Sequence, residues 1–116
     1  MAPHKRLVAW QECHKLVLAV YKATESFPKH ELYGLTSQLR RAAFSGAANI
    51  VEGASRKGRN EFRRFLDIAL GSLVEVEYCI EVALALGYLK QDAYALLDSL
   101  QHRAHFLTWK LKISMQ

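Results

Sequence analysis

Five cations lie within nine residues of this chain: Arg56, Lys57, Arg59, Arg63 and Arg64, opposed only by Glu61. Five bases against one acid give this stretch +4, out of +5 for the whole protein. Guanidinium groups fit phosphate oxygens as a two-pronged fork, so the chemistry such a cluster offers is polyanion binding. Repeated phosphate contacts bind without regard to sequence and weaken steeply with salt. Cations at the start of a helix also oppose its dipole, at about 0.3–1 kcal/mol each where they reach the first turn. The other reading is a solvated basic loop that aids solubility. Arg40 and Arg41 form a second cationic pair on an otherwise small-residue, apolar segment. The acids Asp67, Glu75, Glu77 and Glu81 need partners, so Arg40 and Arg41 are expected to pair with them within or between subunits. Direct nucleic-acid contact is the alternative for both arginines.

Other chemistries find less support. Gln38, Arg41, Ser45, Asn49, Glu52 and Arg56 recur at helical spacing. Asn49 and Glu52, with Glu75 on the next helix, are candidates for a polar network that fixes helix register, as buried polar groups can. A di-iron bundle needs Glu-x-x-His motifs, and Glu12 and His14 have the wrong spacing. Asp98, His102 and His105 share one helical face; two imidazoles and a carboxylate are a conceivable ligand set, but solvated helix surface accounts for them better. No Gly-x-Ser-x-Gly and no phosphate-cradling glycine loop occurs. Cys13 and Cys79 make no Cys-x-x-Cys pair and no disulfide framework, and read as small buried hydrophobes. The expectation is a protein without catalytic residues, metal or cofactor. Trp10 and Trp109 read as core or interface aromatics, with base stacking as the other option.

These groups must be positioned by helices. The chain has 116 residues, 51% hydrophobic and 23% charged, which fits one packed domain and excludes a disordered tail. Four segments show helical periodicity and none alternates as a strand does. The spacing predicts helices over about 7–26, 35–55, 60–86 and 91–112. Trp10, Cys13, Val17, Val20, Thr24 and Phe27 form the first stripe, ended by Phe27-Pro28. Leu35, Leu39, Ala43, Ala47, Ile50 and Ala54 form the second, where Gly46 suggests a close helix approach. Asn60 is the expected N-cap of the third helix, whose seam runs through Phe62, Leu66, Ala69, Leu73, Val76, Ile80 and Ala83. Gly87 stands where a C-terminal glycine belongs, with Tyr88 folding back on the last turn. Ala93, Leu97, Leu100, Ala104, Leu107 and Leu111 complete the set. Short connections make this an all-α, up-down-up-down antiparallel four-helix bundle. Apolar residues off the seams, among them Leu18, Phe44, Phe65, Ile68, Val74, Leu96 and Phe106, exceed what one bundle buries and suggest an oligomer.

A pattern then emerges at residues 33–75. Tyr33-Gly34-Leu35-Thr36-Ser37-Gln38-Leu39-Arg40-Arg41-Ala42-Ala43 is followed by Ala48-Asn49-Ile50-Val51-Glu52-Gly53 and by Arg63-Arg64-Phe65-Leu66-Asp67-Ile68-Ala69-Leu70-Gly71-Ser72 with Glu75. With Trp10, Cys13 and Leu86-Gly87-Tyr88, the chain resembles the bacterial four-helix-bundle family named for proteins encoded in intervening sequences of 23S ribosomal RNA genes. It departs from that pattern at Gly46-Ala47 and Val51. The resemblance implies a homopentamer with no known enzymatic activity. The chain is similar, more distantly, to the accessory protein of diversity-generating retroelements, a basic pentameric barrel associated with nucleic acid.

The N-terminus lacks the apolar core of a signal peptide, and no window is long enough to span a membrane, so the expected location is the cytoplasm. The expected partners are other copies of the chain and nucleic acid, RNA foremost. A scaffold that recruits a protein partner is the competing class.

Overall fold

The computed structural model describes residues 1–115. Four helices account for the fold: α1 (Val8–Thr24), α2 (Leu35–Ala54), α3 (Arg59–Ala85) and α4 (Gln91–Ile113). Short 3₁₀ turns at Pro3–Arg6 and Lys29–Glu31 precede α1 and α2. Among the described residues there is no strand. Each helix packs on its sequence neighbours, and α4 closes back on α1, with α2 and α3 the most intimate pair. The body measures 43 × 23 × 23 Å, as expected for an all-α antiparallel bundle one helix length long.

The apolar stripes meet along the bundle axis. Leu16, Val20, Leu39, Ile50, Leu66, Leu73, Val76, Ile80 and Leu97 are fully buried there, and so are the small side chains that let the helices approach. A Cβ added at Gly46 would lie 3.1 Å from Leu73 Cδ2, so the glycine does mark close contact between α2 and α3. Cys13 and Cys79 are both buried, unpaired thiols. Burial pushes each up to about 11.

The helix ends explain where the chain turns. Glu31 reaches forward so that its Oε1 accepts the Leu35 N–H at 3.0 Å, capping α2. Ser55 Oγ donates to the Glu52 carbonyl at 2.7 Å as α2 closes. Gly58 then adopts φ +90°, a left-handed conformation that other residues rarely take. The helix therefore starts at Arg59 with Gly58 as its N-cap, and Asn60 lies inside the first turn rather than capping it. The left-handed residue, not the Asn side chain, sets the entry. At the other end, Tyr88 N–H donates to Ala83 O at 2.8 Å and Gly87 N–H to Leu84 O at 3.0 Å, with Gly87 at φ +80°. This is a Schellman closure. The Tyr88 ring does not fold onto α3's last turn alone. It packs on Phe27 at 5.6 Å, and its hydroxyl donates to Glu31 Oε2 at 2.9 Å, tying two loops at one end of the bundle.

An ion cluster around one buried carboxylate ties α1 to α4. The Glu12 carboxylate, 7% exposed, accepts from Arg103 Nε at 2.8 Å and from Lys15 Nζ at 2.8 Å. The Lys15 and Arg103 cations hold that carboxyl below its usual range against the opposing effect of burial.

Candidate nucleic-acid interface

Residues 55–58 form the turn between α2 and α3 and, with the first turns of α3, carry the basic cluster to one end of the molecule. Phe65 organises it. Expected as surplus surface, this ring is buried at 7% exposure because two guanidinium groups cover it. Arg64 lies 4.6 Å and Arg56 5.2 Å from the ring centroid. Each is also paired with a carboxylate: Arg56 Nη2 with Glu52 at 2.9 Å, and Arg64 Nη2 with Glu61 at 2.9 Å. The Arg64 partner holds the Glu61 carboxyl below its ordinary value. These two cations are fixed in place and partly neutralised.

The other three differ. Lys57 and Arg59 are exposed and make no ion pair among the described residues. Arg63 is half-buried, and its Nε–H is sequestered without a hydrogen-bond partner. That nitrogen is closed to any ligand, so only the outer end of the Arg63 fork can meet an anion. The structure thus divides the cluster into a carboxylate-paired set on an aromatic platform and three cations without a carboxylate partner among the described residues.

Arg40 and Arg41 sit at a different place. Arg40 Nε–H donates to Thr24 Oγ1 at 2.7 Å, and its guanidinium lies 4.7 Å from the Tyr21 ring centroid. Arg41 Nη2 donates to Ser37 Oγ at 3.3 Å. Among the described residues of one chain neither pairs with an acid of α3, so pairing within the subunit does not hold. Those acids look to α4 instead: Asp67 pairs with Lys112, and Glu77 with His102. Glu75 and Glu81 are exposed, with no ion pair among the described residues. The reason is geometric, since Arg40 and Arg41 turn toward α1 and the outer face of α2 while the acids line the α3–α4 side.

The polar line on α2 resolves into separate links. Asn49 Nδ2 donates to Ser45 O at 2.8 Å and Ser45 Oγ at 3.0 Å, and Ser45 Oγ meets Ser72 Oγ of α3 at 2.8 Å. Asn49 therefore belongs to a chain crossing to α3, which Ser72 completes. Glu52 belongs to Arg56, and Glu75 stands apart.

On the opposite side, Glu77, Asp98 and His102 bring ligand atoms within 4.8 Å of one another. His102 Nε2 is 2.9 Å from Glu77 and its Nδ1 3.6 Å from Asp98, so the imidazole spans two carboxylates and clasps α3 to α4. His105 is not part of this group. Glu77 was missed as its member because it comes from another helix. Trp10 is half-buried between His4 and His14, whereas Trp109 is 45% exposed and stacks on Phe106, so it is not a core residue.

Residues 5–107 match the family model described as 23S rRNA-intervening sequence protein. The chain belongs to this family. The match contains both arginine clusters and the blocks around Asn49 and Gly87. Among solved structures, the chain is similar to a protein of unknown function from the S23 ribosomal protein family of Bacteroides thetaiotaomicron. The TM-score is 0.80 at 21% identity over 90% of this chain and 97% of that one, a likeness in fold. No curated protein matches the chain. As an intervening-sequence family member it carries no helix long and apolar enough to cross a membrane among the described residues.

Proposed function

We propose that this intervening-sequence family protein is a non-enzymatic, homo-oligomeric four-helix module, pentameric as its family resemblance implies, that binds structured RNA through the turn between α2 and α3. The observation that carries this reading is the trio Lys57, Arg59 and Arg63, which lacks carboxylate partners beside the fixed pair Arg56 and Arg64. In a ring of subunits one such turn per protomer adds to a band of positive charge. Such a band meets backbone phosphates by charge and shape rather than by base sequence. Oligomerisation is supported by the apolar side chains left outside, including Leu18, Phe44, Ile68, Val74, Leu96 and Phe106, each at least 42% exposed.

The test is reversal of Lys57, Arg59 and Arg63 to Glu. Retention on structured RNA is expected to disappear while the helical spectrum and the assembly mass stay as they were; unchanged retention defeats the assignment. In the parent protein, log affinity is expected to fall steeply with log salt.

A second reading, a scaffold that recruits a protein partner, is favoured by a different feature. Trp10, Val17, Phe44, Ala47, Ala48 and Val51 line an apolar groove of about 560 Å³ between α1 and α2. A flat salt response would support that reading over RNA binding.

A further inference from the structure

The outer face where α1 meets the start of α2 holds a cavity of about 510 Å³, separate from the basic turn. Tyr21, Tyr33, Ser37, Arg40, Arg41 and Phe44 line it, together with Leu32 and Thr36, and among the described residues no acid does. Its two cations are not neutralised. Arg56, Arg64 and Arg103 each hold a carboxylate, but among the described residues Arg40 and Arg41 have only hydroxyls, a backbone carbonyl and a ring as partners.

Arg40 is pre-positioned. Its Nε–H is held by Thr24 Oγ1 at 2.7 Å, its Nη2 reaches the Tyr21 carbonyl at 3.4 Å, and its plane rests over the Tyr21 ring. A guanidinium has five N–H donors. Two are used here, so the rest are available in a side chain whose conformation is already set, which lowers the ordering cost of binding. Arg41 stands one residue on, also with donors to spare. Beside them, the Tyr33 ring is 93% exposed. An aromatic face left in water next to unpaired guanidinium groups matches the two halves of a nucleotide: a base to stack and a phosphate to neutralise. An acidic peptide would use the cations but would have no need of the open ring.

We infer that the Tyr21–Tyr33–Arg40–Arg41 cavity binds an unpaired nucleotide of a single strand, with its base stacked on Tyr33 and its phosphate on Arg40 and Arg41. This rests on the nucleic-acid reading above for the class of partner, and adds the strand form that a second, separate site selects. Paired RNA keeps its bases stacked inside the duplex and cannot offer one to Tyr33.

The experiment measures binding of an unstructured oligoadenylate and of a fully paired RNA duplex to the full chain by fluorescence anisotropy. Tyr33→Ala is expected to weaken oligoadenylate binding by about 5- to 150-fold, the worth of one base–aromatic stack, and to leave duplex binding unchanged. Tyr33→Phe, which keeps the ring, is expected to restore it. Arg41→Ala is expected to weaken oligoadenylate binding and to lower its salt slope by about 0.7. Both positions are exposed, and unchanged thermal unfolding verifies the fold. The inference is overturned if Tyr33→Ala leaves oligoadenylate binding intact, if it weakens duplex and single strand alike, if the parent chain ignores oligoadenylate, or if a poly-glutamate peptide competes equally well. The two sites fail separately. Duplex binding that survives Lys57, Arg59 and Arg63 reversal removes the turn, while a Tyr33-dependent single-strand signal in that same variant keeps the cavity.

Discussion

Three glycines sit within helices of this bundle, and adding one methyl group to each separates intrinsic helix preference from packing. Replacing a mid-helix glycine by alanine gains about 1 kcal/mol from helix propensity when nothing obstructs the new carbon. At Gly71 a Cβ meets nothing within 4 Å, so Gly71→Ala is expected to realise that gain. At Gly46 the new carbon lies 3.1 Å from Leu73 Cδ2, the tip of a side chain that can yield, and the two effects nearly cancel. At Gly53 it lies 2.9 Å from both Phe65 Cβ and Phe62 Cδ1. A Cβ is anchored to its backbone, so α3 itself must move. Overpacking of that kind costs about 1–3 kcal/mol, which outweighs the propensity gain. A 116-residue domain shifts in Tm by about 4 °C per kcal/mol. Gly71→Ala is therefore expected to rise by about 4 °C, Gly46→Ala to stay within about 2 °C, and Gly53→Ala to fall by up to about 8 °C. Thermal unfolding followed by circular dichroism at one fixed protein concentration reads all three, since association also moves Tm. If Gly53→Ala gains as much as Gly71→Ala, α2 does not approach the Phe62–Phe65 turn as described, and the aromatic platform under Arg56 and Arg64 loses its basis.

Acid should weaken the fold in a defined direction. The Glu12 and Glu31 carboxyls lie below their ordinary value of 4.5, held there respectively by Lys15 with Arg103 and by the Leu35 N–H with the Tyr88 hydroxyl. The unfolded chain then binds more protons than the folded one, so their contribution is complete above about pH 4.5 and is lost as pH falls through and below it. Urea midpoints measured from about pH 7 down to about pH 3 should decline most steeply at the acid end. Arg103→Met should flatten that decline and cost up to about 1 kcal/mol at neutral pH, a modest figure because the arginine itself is largely exposed; an unchanged profile refutes the α1–α4 tie. Cys13 and Cys79, both pushed up to about 11, should resist a thiol reagent near pH 8 until urea unfolds the chain. Labelling of the native protein at the rate of a free thiol would contradict their burial.

Much of the bundle was legible because α1, α2 and α3 carry a clear 3.6-residue period and are followed within a few residues by Pro28, Gly58 and Gly87. The stripes on α1, α2 and α3 are buried largely as read, and Gly87 closes α3 through local geometry that its neighbours cannot alter. The start of α3 was misplaced from Asn60 because a capping side chain and a left-handed glycine compete, and only the turn's path decides between them. The cationic cluster at residues 56–64 is visible as a run of charge. Its division into Arg56 and Arg64 fixed over Phe65, and Lys57, Arg59 and Arg63 left without a carboxylate partner among the described residues, depends on side chains meeting in space. The same limit hid the Glu77–His102–Asp98 clasp and the release of Arg40 and Arg41 from the α3 acids. Periodicity is a property of one helix, so the chain's order of residues determined the four elements, the buried faces of α1, α2 and α3 and the place of the charge, whereas α4 buries Gln101 and Thr108 beside Leu97 and Ala104 in place of the outer leucines of its stripe. Which charge meets which ring or carboxylate depends on how neighbouring helices rotate against one another, and only the folded bundle decided that.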